Sequence, residues 1–136
     1  MLFFIINILK KKIKIAITGL NPHCFSSERF SEEERIIRPA VQKLKKQKIN
    51  ISGPFSADTL FLSKSQNKFD VVVGMYHDQV LTPIKTIMGL KAINITLGLP
   101  FVRVSPDHGV AADIVGKKIA DPSSLIESIK FFNNVK

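Results

Sequence analysis

An α/β fold, with helices layered on a largely parallel sheet, is predicted for this chain on three observations. Short apolar runs rich in Ile and Val alternate with stretches of helical period, the pattern of strand–helix–strand units. Two of these runs, Lys12–Thr18 and Asp70–Met75, each lead within a few residues to a histidine, His23 or His77. Side chains beyond the carboxyl ends of strands in such sheets face the crevice where ligands bind. Finally, 136 residues suffice for one hydrophobic core and not for two.

The elements follow in order. Met1–Leu9 is apolar except for Asn7, and Lys10–Lys12 follow it. A signal peptide would place its charge before the apolar run, and a membrane span needs about 20 apolar residues. The run is expected to be the tail of a helix entering the first strand, with further sequence preceding Met1. Lys12–Thr18 alternates and reads as a buried strand ended by Gly19. Ser31 with Glu34 forms a capping box opening a helix to about Gln47. Ile36, Ile37, Ala40, Val41 and Leu44 make its apolar stripe. Glu32, Glu33 and Glu34 at its start and lysines at its end suit the helix dipole, and Pro39 should bend it.

Ile49–Ser52 is a short strand closed by Gly53-Pro54, and Ala57–Leu62 a short helix carrying Asp58. Asp70–Met75 is a buried strand, followed by a helix over Asp78–Met88 that Pro83 interrupts or bends. Ala92–Leu97 and Phe101–Val104 are strands separated by Gly98-Leu99-Pro100. The last helix, Pro122–Asn133, has Asp121 as its cap and Pro122 at its first position. No repeat, low-complexity tract or linker interrupts the series.

Apolar residues make up 45% and charged residues 23%, an ordinary balance for a globular chain. The net charge is +9, and eight of the 20 basic residues lie in two short clusters, Lys10, Lys11, Lys12 and Lys14 and then Lys43, Lys45, Lys46 and Lys48. No aromatic residue interleaves with either cluster and no nucleic-acid motif is present, so a solvated basic surface is expected and not a nucleic-acid interface. The single cysteine, Cys24, excludes an internal disulfide and fits a reducing, cytoplasmic compartment.

A Gly-x-Gly-x-x-Gly fingerprint, a P-loop and a Gly-x-Ser-x-Gly elbow are all absent. What remains are polar residues at strand ends, loops and helix starts. His23 and His77 are the candidate metal ligands, since neutral imidazole binds zinc and similar ions and catalytic sites commonly use three protein ligands. His108, beside Asp107 and Gly109, either supplies a third ligand or supplies none. Asp58 and Asp78 are candidates for metal binding or proton transfer, or else simply cap the helices they begin. Lys85, Asn94 and Arg103 suit a phosphorylated or carboxylated substrate, Arg as a bidentate fork and Lys as a point charge.

Five motifs occur in order: Gly19 to His23; Gly53-Pro54 with Ala57-Asp58-Thr59-Leu60-Phe61; Met75 to Gln79; Asn94 to Pro100; and Asp107-His108-Gly109. Together they resemble the carboxyl-terminal part of the 4-hydroxythreonine-4-phosphate dehydrogenase family of pyridoxal phosphate biosynthesis, from about Ile13 onward. The resemblance implies a fold like the isocitrate and isopropylmalate dehydrogenases, of which residues 1–136 would be a partial domain. It implies a homodimer with the active site at the subunit interface. It also implies NAD or NADP as oxidant of a phosphorylated amino-acid substrate, whose keto acid then loses carbon dioxide. A divalent metal (Zn, Mg or Co) would sit on His23, His77 and a third histidine upstream of everything present here. Lys85, Asn94 and Arg103 match substrate contacts, whereas His108 matches a position that is not a ligand. No residue is assigned as the catalytic acid or base. The family loop after His23 is often Gly-rich, but here it reads Cys24-Phe25-Ser26-Ser27-Glu28. With a ligand and a pair of substrate contacts missing, the chain alone is expected to be inactive; the alternative is a non-catalytic binding or dimerisation remnant.

Overall fold

The computed structural model describes residues 12–24, 30–62 and 68–134. The apolar opening Met1–Leu9, the lysines at 10 and 11 and loop residues 25–29 lie outside them. The chain divides into two compact units, the first ending at Pro83 and the second beginning at Ile84.

In the first unit β1 (Ile15–Thr18) is the middle strand of a parallel sheet, between β2 (Ile51–Phe55) and β3 (Val71–Val73). Ile13, Ile15, Ala16 and Thr18 are all buried, as a strand covered on both faces must be. β3 is shorter than Asp70–Met75 and only half-buried, because it lies at a sheet edge among the described strands. The β1–β2 connection contains α1 (Arg38–Lys46), preceded by a π-helical turn over Glu33–Ile37. Ser31 Oγ accepts the Glu34 N–H at 3.4 Å, which is one half of the expected capping box. The π turn lies just ahead of Pro39, which has no N–H to give to the carbonyl four residues back and whose ring crowds it. Arg38 N–H bonds instead to Glu33 O, five residues back. Of the expected apolar stripe, Ile37 and Val41 are buried while Ile36 and Ala40 face outward.

Two boundaries differ from expectation. Gly53-Pro54 does not close β2: the strand runs through it to Phe55, with a cis Gly53–Pro54 bond. Pro is tolerated there because β2 is an edge strand among the described strands. Short α2 (Ala57–Leu60) follows. Likewise α3 (His77–Met88) begins one residue early and continues through Pro83 without a break, starting in the first unit and ending in the second.

The second unit holds β4 (Ile93–Thr96) and β5 (Arg103–Pro106), which pair antiparallel with Asn94 opposite Ser105 and Thr96 opposite Arg103. The six-residue link through Gly98-Leu99-Pro100 is too short for a parallel crossover, so these two strands pair antiparallel as a two-stranded sheet. Helix α4 (Ser123–Asn134) packs on both strands. The Asp121 cap is present, its Oδ1 accepting the Ser123 N–H at 2.7 Å. Bonds from the Ser123 side chain and backbone hold the Asp121 carboxyl below its ordinary value of 3.8. The sign follows: the stabilisation is complete above that value and lost as the pH falls through the lower folded-state value. Asp121→Asn, a cap that does not titrate, is therefore expected to match the parent at neutral pH and to lose less helix on acidification, measured by circular dichroism. No helix among the described residues is long and apolar enough to cross a membrane.

Candidate functional site

The carboxyl ends of β1 and β3 are joined by side chains in the first unit. Thr18, the fully buried last residue of β1, donates its hydroxyl to Gln79 Oε1 at 2.6 Å and accepts the Met75 N–H at 3.1 Å. Gln79 Oε1 also accepts the N–H groups of Met75 (2.8 Å) and Tyr76 (3.2 Å), and its Nε2 donates to Gly19 O at 2.8 Å. Both strands therefore stay tied beyond the end of their backbone ladder, at the points where the His23 loop and the His77 helix begin.

The His23 loop is held from several sides. Asn21 N–H donates to Glu33 Oε1 at 2.6 Å, and His23 N–H donates to Asn21 Oδ1 at 2.9 Å, an Asx-type turn. Ser56 Oγ donates to Pro22 O, and Arg38 Nη2 reaches Cys24 O at 3.3 Å. Glu33 stands in the first helical turn, as expected for an acid suited to the dipole, and at 1% exposed its carboxylate also holds the loop. Cys24 is buried against Gly19, and burial pushes its thiol above the ordinary value.

His77 Nδ1 lies 2.7 Å from Asp78 Oδ1. A carboxylate only accepts, so Nδ1 carries the proton, and in the neutral ring the lone pair is then on Nε2, the tautomer a metal ligand needs. Asp78 and Asp58 line one cavity of about 330 Å³, together with Gln79, Phe61 and Thr82. Asp58 Oδ1 lies 2.6 Å from Ser56 Oγ and competes with Pro22 O for its one proton. Asp78 thus faces the His77 ring and Asp58 the Ser56 hydroxyl. Among the described residues no three His, Cys, Asp or Glu side chains are grouped to hold a metal ion. The two imidazoles suit a divalent metal in kind and fall short in number.

The second unit carries the expected substrate residues. On the antiparallel pair, Asn94, Thr96, Arg103 and Ser105 share one face; Ile93, Ile95, Val104 and Pro106 share the other. Asn94 and Arg103 are diagonal neighbours, about 7–8 Å apart at the backbone and both exposed. The Arg103 guanidinium is steadied by a 2.7 Å bond from Nη1 to Thr96 Oγ1. Lys85 donates to Asp107 O and lies 3.3 Å from Asp107 Oδ2. Ser124 holds that aspartate in turn: its buried Oγ accepts the Asp107 N–H at 2.9 Å and donates to Ala92 O at 2.6 Å. His108 lines a separate cavity of about 530 Å³ with Leu90, Val110, Ile114 and Lys118.

Sequence reasoning missed four residues that place these groups: Thr18, Glu33, Gln79 and Ser124. Gln79 was inside a quoted motif, and Glu33 was one of three adjacent glutamates. Nothing local distinguished Thr18 or Ser124.

The model of one protein family, described as pyridoxal phosphate biosynthetic protein PdxA, matches residues 5–132. A 4-hydroxythreonine-4-phosphate dehydrogenase of Sulfurihydrogenibium sp. is 53% identical over 120 residues, which cover 88% of this chain and 37% of that protein. The crystal structure of 4-hydroxythreonine-4-phosphate dehydrogenase from Klebsiella pneumoniae superposes with a TM-score of 0.76 at 36% identity, covering 98% of this chain and 42% of the other. A terephthalate 1,2-cis-dihydrodiol dehydrogenase from Burkholderia xenovorans gives a TM-score of 0.66 at 28% identity, covering 96% of this chain and 43% of that one. The chain thus spans about two fifths of the length of the proteins it matches.

Proposed function

Because this chain belongs to the family of pyridoxal phosphate biosynthetic protein PdxA, we propose that it is a carboxyl-terminal portion of an enzyme oxidising 4-phosphohydroxy-L-threonine. The keto acid formed then loses carbon dioxide. The single observation that carries the substrate side is the polar face of the β4–β5 hairpin, with exposed Asn94 beside an Arg103 already oriented by Thr96. A planar guanidinium fork beside an amide suits a phosphate or carboxylate. A dihydrodiol dehydrogenase shares the fold, so the fold alone does not favour this substrate; the greater identity to the 4-hydroxythreonine-4-phosphate dehydrogenases supports it.

When bound, NAD or NADP would supply the hydride acceptor, and a divalent metal (Zn, Mg or Co) would stabilise negative charge developing on substrate oxygen. His23 and His77 would hold that metal, with Asp78 keeping the His77 ring in the ligating tautomer. The donor set then requires at least one ligand from outside the described residues. Lys85 would neutralise the substrate's anionic group, in competition with Asp107. The cavity beside His108 has the size of a small-ligand site and is the place in this chain we assign to part of the cofactor. The working assembly on this reading is a cytoplasmic homodimer.

With 4-phosphohydroxy-L-threonine, NAD or NADP and a divalent metal, the chain alone is expected to give no nicotinamide reduction. Joined to the amino-terminal portion of the Sulfurihydrogenibium relative, it is expected to reduce the cofactor with that substrate. Turnover by the chain alone would contradict the missing-ligand argument; a folded but inactive hybrid would sink the substrate assignment. The incomplete donor group favours a second reading, a non-catalytic binding or dimerisation module. Equal metal content in the chain, His23→Ala and His77→Ala would support that reading over the first.

A further inference from the structure

We propose that Gln79 is a positioning residue that couples the two histidine-bearing segments, so that the His23 loop and the start of α3 move as one body. The coupling stands on the geometry of one amide group; its consequence for metal binding rests on the ligand reading above.

The β1–β3 ladder ends at Ile17 opposite Val73. Beyond it the backbone groups of Gly19, Met75 and Tyr76 need partners supplied from elsewhere. Gln79, in the first turn of α3, supplies them in opposite senses. Its carbonyl accepts from Met75, Tyr76 and Thr18, while its amide donates to Gly19 O. Only a side chain with an acceptor and a donor on one plane can do both. A carboxylate would keep the first set of bonds and oppose its charge to the Gly19 carbonyl. A leucine would lose everything.

The clamp is shielded most at its Thr18 end. Thr18 is fully buried, the bonds from Gln79 to Met75 and Gly19 are part-buried and that to Tyr76 is exposed. The Thr18 end is therefore the costliest to leave unmade. The helix also presses on the strand end, since a Cβ on Gly74 would lie 2.8 Å from Val80 Cγ1. From Gly19 the constraint passes along a short, bonded loop: Cys24 N–H to Asn21 O at 2.9 Å, His23 N–H to Asn21 Oδ1, and Asn21 N–H to Glu33. From Met75 it reaches His77 within two residues.

The test compares the full chain with Gln79→Leu and Gln79→Glu by amide hydrogen exchange, reading Met75, Tyr76, His23 and Cys24 individually. In Gln79→Leu all four amides are expected to exchange at least tenfold faster, although those of His23 and Cys24 bond to Asn21 and not to Gln79. In Gln79→Glu the acceleration should fall on His23 and Cys24, with Met75 and Tyr76 retained. A purely local role predicts faster exchange at Met75 and Tyr76 alone, and that result overturns the proposal. If Gln79→Leu does not fold, Gln79→Glu decides: parent rates at His23 and Cys24 overturn it. A Co²⁺ titration separates this outcome from the ligand reading. With His23 and His77 as ligands, Gln79→Leu should bind Co²⁺ roughly 10–100-fold more weakly. Should His23→Ala and His77→Ala bind Co²⁺ as the parent does, the ligand reading falls while the exchange result still decides the coupling.

Discussion

Gly53→Ala is expected to destabilise the first unit by about 3 kcal/mol or more, enough to consume much of the margin of a small domain. Gly53 sits inside β2 at φ +134°, and a Cβ there would lie 2.5 Å from both Ile17 O and Ile17 Cγ2. The first of these is backbone of the central strand and cannot turn aside. Unfavourable backbone dihedrals alone cost on the order of 1–3 kcal/mol; the collision adds to that by prising β2 from β1. The register already skips here, from Ala16 opposite Ser52 to Thr18 opposite Phe55. The next bond along, Gly19 N–H to Phe55 O at 3.0 Å, anchors the start of the His23 loop. Gly98→Ala is the control, since Gly98 has φ +89° but nothing within 4 Å of the added carbon. Urea unfolding of the two variants separates conformational cost from collision. If Gly53→Ala is no more costly than Gly98→Ala, the close approach of β2 to Ile17 does not matter energetically.

Gly53 also marks where the sequence was harder to read. Gly-Pro is a strong turn signal, so Ile49–Ser52 was expected to stop there; the edge position of β2 among the described strands lets the strand continue. Elements with a sustained period were legible: β1, the Ser31-led helix, the His77 helix and the capped terminal helix all fall within a few residues of expectation. The π turn was not, because Pro39 announces a disturbance without saying which backbone bond will absorb it. The placing of His23 and His77 after β1 and β3 was visible as strand–loop spacing. The residues that hold those loops were not visible. Besides the local bonds of Gln79 to Met75 and Tyr76, Gln79, Thr18 and Glu33 act through partners 12 to 61 positions away, and sequence periodicity carries no record of such pairings.

Ser124→Ala is expected to destabilise the second unit by about 2–4 kcal/mol, at roughly 1–3 kcal/mol for each buried backbone group left without a partner. Ser124 is 2% exposed, and its one hydroxyl satisfies two backbone groups, the buried Ala92 O ahead of β4 and the part-buried Asp107 N–H just after β5. The helix is thereby fastened to both outer ends of the hairpin. Ser128, bonded through Oγ to Ser124 O at 2.8 Å, stays within the helix and ties it to neither strand. Ser128→Ala should therefore cost about 1 kcal/mol or less, the net worth of an ordinary hydrogen bond. The difference has a functional edge, because Asp107 is the group that holds Lys85. Freed of Ser124, the Asp107 backbone relaxes, and the Lys85 ammonium loses the fixed position from which it would meet an anionic substrate. Urea unfolding of the two serine variants tests the ranking; equal costs, or less than about 0.5 kcal/mol for Ser124→Ala, an effect typical of surface substitutions, would show that α4 is held by its apolar contacts alone.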